Sequence, residues 1–486
     1  MLPWEEGYWL VRFLLQRGLA AIYLCAFLVA ATQFRPLAGE NGLFSLRSYA
    51  ERASVTDGPS LFQFFPSDRA VALAAWAGVG LSLVALLAGP YFLPPDLAVP
   101  ASMGLWFLLW GLCQSFVNAG GLFYGYGWES MLLETGFLAV FLGAGPTGPP
   151  VLIVWLFSWL LFRNMFGAGL IKMRGDRCWR DLTAMDFHYE TQPMPNPGSW
   201  FAHHLSERFH RLEVVGNHVV ELAVPFLYFA PEPYASVAGV LTVGFQGWLM
   251  LTGNFSWLNA LTIVQAIAVT SDRTLAAVLP VSAPAAAPAP LYLQVLAAGV
   301  TLLVLALSYY PVTNMLSPNQ RMNAGFDPFH IVNTYGAFGS ITKERYGLVV
   351  EGTNQEHPEE GDWAAYSFKG HPDDPSKRPR QWAPYHLRLD WQLWFAAMRP
   401  RPGRRQQWVF TLLERLLDGD SSVEGLLADV PFDDGPEKVR VLRYRYRFTT
   451  PEERAESGDW WVRERVGAYV PATSNPGPGP FGGELR

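Results

Sequence analysis

Long apolar runs separated by polar connections fill residues 1–310 of the chain. A helix needs about 20 apolar residues to cross a bilayer, because backbone groups in lipid must hydrogen-bond within their own segment. This criterion predicts about nine spans, at 11–33, 70–88, 101–117, 129–145, 150–170, 214–230, 234–253, 255–270 and 291–310. The runs at 129–145 and 255–270 are short, so each also fits a re-entrant segment.

Two connections in this half are long, at 34–69 and 171–213. Loops of this length are usually functional or disordered. With nine spans, both loops and everything after residue 310 share one side of the membrane. The positive-inside rule would place that side in the cytoplasm, although long loops and folded domains follow the rule poorly.

The pattern changes after Pro311. Alternating, β-branched and aromatic positions predict strands at Arg345–Thr353, Lys438–Phe448 and 460–470. Residues 407–428 have helical periodicity instead. These elements predict a small soluble α+β domain that is rich in sheet.

The predicted fold class is therefore a polytopic α-helical membrane domain at 1–310, followed by a small soluble, sheet-rich α+β domain at 311–470. The Ala/Pro run at 280–290 is a low-complexity linker. The Pro/Gly-rich tail at 471–486 is predicted to be disordered.

Composition supports a membrane protein. Only 16% of the 486 residues are charged, below the ~25% of an average soluble domain. The formal net charge of −6 argues against a nucleic-acid binder, which would carry a basic face. The three cysteines form no visible disulfide framework. The first apolar run lacks a cleavage site, so we expect a retained helix.

Ionisable residues inside apolar runs are functional candidates by default, because they are costly in lipid. Glu129 and Glu134 are five apart, so they lie on different faces of a helix. Arg163 and Lys172 end a span, where snorkelling to the headgroups is the simple explanation. Lys172 is also a candidate base, since a desolvated amine loses its proton more easily.

Histidines supply two further candidates. His218 and Glu221 are three apart at the start of a span, and so share a helix face. They fit a proton relay, or a hydrogen-bonded strut between helices. The histidines at 203, 204 and 210 have poor spacing for a metal on one helix. An amphipathic segment in the membrane interface explains them better, and we expect no metal and no cofactor.

The segment 385–391 alternates with period two, which predicts a strand that presents His386, Arg388 and Asp390 on one face. Such a face favours a paired network with a structural role, with loop residues Asp176, Asp181 and Asp186 as available partners. Neighbouring aromatic residues are candidates for client contact or for the core: Trp382, Tyr385, Trp391 and Trp394.

Several blocks resemble the lipase maturation factor family. They follow the family's order from about residue 12 to about residue 470 and lie at 132–137, 172–176, 210–211, 217–221, 333–345, 351–353, 366–370 and 384–398. The resemblance implies a non-enzymatic membrane chaperone that helps secreted lipases to fold and to assemble as homodimers. Its implied partners are membrane lipids and exported clients such as lipases.

The resemblance also implies a location. Animal members of the family reside in the endoplasmic reticulum, and the C-terminal domain would face the lumen or, in a bacterium, the space outside the inner membrane. This opposes the positive-inside interpretation, and we follow the resemblance. The scarcity of cysteine departs from animal members, and the Ala/Pro/Arg-rich sequence is typical of a bacterial protein.

A second similarity, to vitamin K-dependent carboxylases, covers only residues 100–270. It would place Lys172 as the base and Glu221 where that family has an aspartate, with Glu134 and His218 nearby. The implied alternative is a membrane enzyme that acts on a quinone-like or lipid substrate. The family's His-bearing motif is replaced here by 128–130 (Trp-Glu-Ser), which counts against carboxylase chemistry.

Overall fold

The computed structural model describes residues 7–281 and 286–477. The first helices follow the apolar runs and have these bounds: α1 Trp9–Ala38, α2 Leu46–Arg52, α3 Asp68–Leu86, α4 Pro95–Ala119, α5 Gly127–Ala139 and α6 Val151–Arg174. The second long loop holds three short helices, α7 Arg177–Arg180, α8 Met185–Thr191 and α9 Ser199–His203. The membrane half ends with α10 Glu207–His218, α11 Tyr234–Thr252, α12 Leu258–Ala266, α13 Asp272–Val278, α14 Leu291–Leu307 and α15 Tyr309–Leu316.

Within the described residues, seven helices are long and apolar enough to cross a membrane. They are Trp9–Ala38, Asp68–Leu86, Pro95–Ala119, Val151–Arg174, Glu207–Phe229, Tyr234–Thr252 and Leu291–Leu316. The segment Leu258–Val269, which begins with α12, and helix α13 are bent by 117° and form an eighth span if they are counted as one. These helices confirm an integral membrane protein with a polytopic helical domain.

The expected span at 129–145 is the main difference. Helix α5 has 13 residues, which gives a length of about 20 Å, too short for a hydrocarbon core of about 30 Å. The chain leaves the helix at Ala139 because glycines with positive φ follow at Gly143 and Gly145, a conformation that glycine adopts without strain. Helix α5 is instead buried inside the bundle.

The span that begins with α10 is irregular. After His218 the helix widens into a π-helical turn at Val219–Ala223 and then tightens into a 3-10 segment at Val224–Phe229. Pro225 cannot donate a backbone hydrogen bond, which favours the break in the α-helical ladder. A π-helical turn shifts the following side chains around the axis and often marks a functional site.

The soluble half contains one four-stranded antiparallel sheet of order β2-β1-β3-β4. Its elements are β1 Arg345–Thr353, β2 Ala364–Ala365, α16 Arg388–Ala397, α17 Trp408–Leu417, α18 Ser421–Glu424, β3 Lys438–Phe448, α19 Pro451–Ser457 and β4 Trp461–Thr473. In the register, Arg345 pairs with Tyr446 and Thr353 with Lys438. The three predicted strands are confirmed, and β4 continues to Thr473; residues 478–486 of the expected tail lie outside the described residues.

The strand expected at 385–391 is wrong, because a helix begins at Arg388. Among its buried apolar residues, Leu389, Leu393, Ala396 and Ala397 recur at the intervals of a helix face, and Trp391 is buried as well. The alternating segment is too short to separate the two periods, and the residues after it decide the structure. His386 therefore precedes the helix, while Arg388 and Asp390 lie in its first turn.

The two halves share one apolar core. The ring of Phe123, which precedes α5, lies 5.7 Å from the ring of Trp408 in α17. The second long loop contacts the soluble half directly, because the Trp200 indole donates to the carbonyl of Thr449. In the first long loop Phe44 packs on Phe123, the same ring that contacts Trp408. The loops and the soluble domain thus lie on the same side of the membrane half.

Candidate functional site

A large cavity, which we name the junction cavity, lies where the two halves meet. Its volume is about 870 Å³, within the range of about 300–1,000 Å³ that is typical of ligand pockets. The membrane half lines it with Asn164, Met165, Ala168 and Lys172 of α6; Glu213, Gly216, Asn217, Val220 and Glu221 of the α10 span; Val240, Leu241, Gly244, Phe245, Gln246, Trp248 and Leu249 of α11; and Leu258, Asn259 and Thr262 of α12.

Helical periodicity explains how distant residues meet at this cavity. On the α10 span the lining positions recur at intervals of three and four residues, which places them on one helix face. On α6 the lining positions 164, 168 and 172 repeat every four residues. The soluble half closes the cavity with the turn at 336–340, with Trp391, Trp394 and Phe395 of α16, and with Met398 directly after that helix.

One end of the cavity is polar. The Lys172 ammonium donates to Glu221 Oε1 at 2.6 Å and to Asn217 Oδ1 at 2.9 Å. It also lies 4.8 Å from the centroid of the Trp179 ring, within cation–π distance. Lys172 is therefore buried in an ion pair and does not snorkel to the headgroups.

This polar end is incompletely hydrogen-bonded. Within the described part of the chain, Glu221 Oε2, Asn217 Nδ2 and Glu213 Oε2 are buried and have no hydrogen-bond partner. Glu213 Oε1 accepts from Tyr189 and, at 2.7 Å, from the Trp248 indole. Unpaired buried polar atoms are costly, so the free atoms mark a place where a ligand or water would bind.

His188 also lines the cavity. Burial, and then the charge of Lys172, lower its pKa to about 3, so the imidazole is neutral at physiological pH. Its ring packs on Phe255 and Phe338. The polar end consequently holds the Lys172–Glu221 pair, and Glu213 is a further carboxylate in the cavity lining.

Of the four catalytic candidates, the structure brings together only Lys172 and Glu221 as a bonded pair. His218 donates from Nε2 to the carbonyl of Trp179 at 3.0 Å, a strut between the helix and the loop. Glu134 instead pairs with Arg163. Asn333 donates to Glu134 through its backbone and its side chain at 3.1 and 3.0 Å, and Tyr335 donates at 2.7 Å.

We name Glu134, Arg163, Asn333 and Tyr335 the Glu134 cluster. The Arg163 guanidinium also donates to the Asn333 carbonyl at 2.7 Å. Two members come from the membrane half and two from the segment that leads into the sheet. The cluster therefore joins the two halves, and Arg163 is buried in it and does not snorkel.

A second buried pair joins the halves at α16. Arg388 lies 2.8 Å from Glu129 Oε1, donates to the Phe123 carbonyl at 2.7 Å and stacks 3.4 Å from the Tyr124 ring centroid. A network around Arg388 was predicted, but its expected partners Asp176, Asp181 and Asp186 were wrong. They bind Ile341, Arg177 and His210, respectively. Glu129 was missed as the partner because it is far away in sequence.

The other residues of that motif have separate roles. Asp390 accepts from the backbone of Gly370 at 2.6 Å and of His371 at 3.1 Å, and burial raises its pKa to about 6. Burial, then the charge of Arg388, lower the pKa of His386 well below its ordinary value. Trp391 is buried at the cavity wall, while Trp382, Tyr385 and Trp394 are half-buried.

Two histidines of the second loop, His204 and His210, hydrogen-bond to protein groups. His210 contacts Asp186 Oδ1 at 2.9 Å and donates to the Ala202 carbonyl at 3.0 Å. Burial lowers the pKa of His203 to about 4. Among residues 7–281 and 286–477, no three His, Cys, Asp or Glu side chains group so as to hold a metal ion.

Comparison with known proteins covers both halves of the chain. The family model described as lipase maturation factor transmembrane domain matches residues 10–277, and lipase maturation factor C-terminal domain matches residues 331–471. No solved structure matches the chain.

Similar curated proteins carry the same family name. Lipase maturation factor 1 of Homo sapiens is 42% identical over 513 residues, covering 96% of this chain and 88% of that protein. Lipase maturation factor 1 of Bos taurus is 42% identical over 515 residues, covering 96% of this chain and 89% of that protein. Lipase maturation factor 2 of Homo sapiens is 28% identical over 606 residues, covering 96% of this chain and 83% of that protein. The chain belongs to the lipase maturation factor family.

Proposed function

We propose that this chain is a membrane-resident maturation factor that assists the folding or assembly of exported proteins such as lipases. The observation that carries the proposal is the 42% identity to human lipase maturation factor 1, which extends over 96% of the chain. A similarity of this extent covers the membrane helices, the loops and the sheet together.

The structure supports a client site at the membrane surface. The Glu134 cluster and the Arg388–Glu129 pair hold the soluble domain against the membrane half. Phe395 of α16 and Met398 directly after it are exposed next to half-buried Trp394. Clustered exposed apolar side chains are typical of sites that bind other proteins. These two residues are our candidates for contact with incompletely folded clients.

The proposed orientation follows from the client class. Exported lipases fold outside the cytoplasm, so the soluble domain would lie on the extracytoplasmic side of a bacterial inner membrane or in the lumen of the endoplasmic reticulum. Cysteines substituted at exposed Glu356 and Ser457 should react with an impermeant thiol reagent in intact cells or sealed lumen-outward vesicles. Reaction only after permeabilisation would show the opposite orientation, with the soluble domain in the cytoplasm.

The alternative of a membrane enzyme with Lys172 as base gains no support from the relatives, whose names describe maturation factors. Lys172 is also bonded to Glu221 and Asn217. The direct test of the maturation role is disruption of the gene in the native host. Secreted lipase activity per lipase molecule synthesised should fall, and the wild-type gene should restore it.

Restoration by variants tests the client surface. The double substitution Phe395→Ser and Met398→Ser should restore less activity than the wild type at equal protein level. Val466→Ser, which changes an exposed apolar residue on β4, is the matched control. Unchanged lipase activity after gene disruption would contradict the maturation role, whereas full restoration by the double variant would contradict only the proposed client surface.

A further inference from the structure

We propose that the junction cavity binds a single-chain membrane lipid whose head group is uncharged and donates hydrogen bonds, such as the hydroxyl head of a monoacylglycerol. This inference goes beyond the maturation role and does not depend on it. It rests on the cavity's lining, on its position beside a spanning helix and on the free hydrogen-bonding atoms at its polar end.

The body of the cavity suits an acyl chain. Most of its lining is apolar or aromatic, and the polar side chains Lys172, Asn217 and Glu221 converge at one end. An apolar lining holds an acyl chain without a desolvation cost, since lipid tails and apolar side chains are equally apolar. An elongated apolar ligand with one polar end therefore fits this distribution of residues.

The edge of the cavity reaches the surface of a spanning helix. Val240 and Leu241 line the cavity and are 61% and 45% exposed. Both belong to α11, a helix long and apolar enough to cross the membrane. Exposed apolar residues on a spanning helix face lipid, so a lipid can enter sideways without passing through water.

The free atoms at the polar end define the head group. Glu221 and Asn217 are each only 4% exposed, yet Glu221 Oε2 and Asn217 Nδ2 have no partner among the described residues. A carboxylate oxygen accepts hydrogen bonds and an amide nitrogen donates them. A hydroxyl group both donates and accepts, so one or two hydroxyls satisfy both atoms.

Charge excludes an anionic head. Glu221 already neutralises Lys172 at 2.6 Å, and Glu213, one helical turn before Asn217, is a further carboxylate in the cavity lining with one free oxygen. A fatty-acid carboxylate or a phosphate that reached the free atoms would lie beside the Glu221 carboxylate in a site of low dielectric, where repulsion is strong. The site therefore favours a neutral head over an anionic head on the same chain.

Two photoreactive, clickable probes with the same acyl chain test this inference: a monoacylglycerol and the corresponding free fatty acid. The full-length protein in lipid nanodiscs is irradiated with each probe, and the labelled peptides are mapped. We expect the monoacylglycerol to label peptides of α6, α10 or α11, at roughly tenfold higher yield than the fatty acid. Equal labelling by both probes, or preference for the fatty acid, would overturn the proposed head-group chemistry.

A matched pair of glycines on α11 tests the location. Gly244 lines the cavity and Gly247 does not, and an added Cβ meets no atom within 4 Å at either position. Both substitutions with Leu also improve helix propensity, so both variants should fold. Gly244→Leu should reduce monoacylglycerol labelling about tenfold, and Gly247→Leu should leave it unchanged.

Glu213→Gln tests the charge argument separately. Removing one carboxylate should raise labelling by the fatty acid while labelling by the monoacylglycerol stays within about twofold. Labelling that is insensitive to Gly244→Leu would show non-specific insertion and overturn the site. None of these readouts depends on lipase maturation, so failure here leaves the proposed function standing.

Discussion

Glu134 and Glu221 are two buried carboxylates with opposite hydrogen-bonding states. In the Glu134 cluster both carboxylate oxygens accept hydrogen bonds, from Arg163, Asn333 and Tyr335. At the junction cavity, Glu221 uses one oxygen for Lys172 and leaves the other without a partner in the described chain. The two residues are 1% and 4% exposed, so burial alone does not distinguish them.

The difference separates a structural network from a binding site. A buried carboxylate with partners on both oxygens holds elements together, whereas one with a free oxygen costs free energy until something completes it. The Glu134 cluster joins residues from both halves. Its carboxylate does not line the junction cavity, although Tyr335 does, and its atoms without a partner in the described chain are Arg163 Nε and Asn333 Oδ1. The Lys172–Glu221 pair borders about 870 Å³ of cavity. We therefore assign the first to stability and the second to ligand binding.

Glu134→Ala should have the largest effect on stability. It leaves the Arg163 guanidinium buried and unpaired, and an arginine cannot shed its charge by losing a proton. We expect the free energy of unfolding to fall by an amount near the upper end of roughly 3–5 kcal/mol. The fall should be seen as a lower thermal unfolding midpoint in detergent and a lower protein level. Glu207→Ala, at an exposed position of α10, is the control and should change neither. An unchanged midpoint for Glu134→Ala would remove the structural assignment.

Arg388→Ala should lower the free energy of unfolding by less than Glu134→Ala does, near the lower end of the same range of roughly 3–5 kcal/mol. Here a carboxylate, Glu129, is left unpaired, and it can neutralise itself by taking up a proton. The loss should therefore shrink in acid, which thermal unfolding at pH 5 and pH 8 can measure. A variant of full stability that has lost its function would instead make Arg388 a functional residue.

Asp390 is a third buried carboxylate, held by backbone donors. Its pKa is about 6 in the folded protein and 3.8 ordinarily, so the folded state binds the proton more tightly. Ionisation therefore destabilises the fold as pH rises from about 4 to about 6, by up to roughly 3 kcal/mol. Asp390→Asn should raise the unfolding midpoint at pH 8 and leave it unchanged at pH 4. A midpoint difference independent of pH would contradict the role of ionisation.

The smallest effect is expected from replacing the cavity pair as a whole. Lys172→Met with Glu221→Leu removes both charges together, so stability should stay within about 1 kcal/mol of wild type. Arg163→Met with Glu134→Leu leaves the donors of Asn333 and Tyr335 without their acceptor. This double variant should lose roughly 2–3 kcal/mol of unfolding free energy. Thermal unfolding of both double variants under the same conditions compares the two losses of stability. Equal losses in both double variants would show that the two sites do not differ.

Local patterns in the sequence predicted the strands well. The strands Arg345–Thr353 and Lys438–Phe448 have the predicted bounds because alternation over nine or more residues is a clear signal. Segment 385–391 failed because its few alternating residues continue into a helix with apolar positions at Leu389 and Leu393. Helix α5 failed as a span because hydropathy ignores the glycine turn that ends it.

The polar sites were predictable only in part. Intramembrane charge alone pointed to Glu134, Lys172 and Glu221. Their partners are distant in sequence, 29 and 199 residues away for Glu134 and 49 residues for the Lys172 pair. Periodicity along one helix carries no information about such distant partners. Glu213 and His188 were missed, although the spacing of 213, 216, 217 and 220 is a detectable helix face.

The long-range pairing of Arg388 bears on the order of synthesis. The guanidinium binds a carbonyl, that of Phe123, which is made 265 residues earlier. At about 5–20 residues per second, the ribosome reaches Arg388 roughly 10 to 50 seconds after that segment is finished. During this interval Glu129 lies inside the nascent helical bundle without the Arg388 guanidinium that later pairs with it. A transcript truncated before Arg388 would thus leave an uncompensated charge in the bundle, marking the product for disposal by membrane quality control.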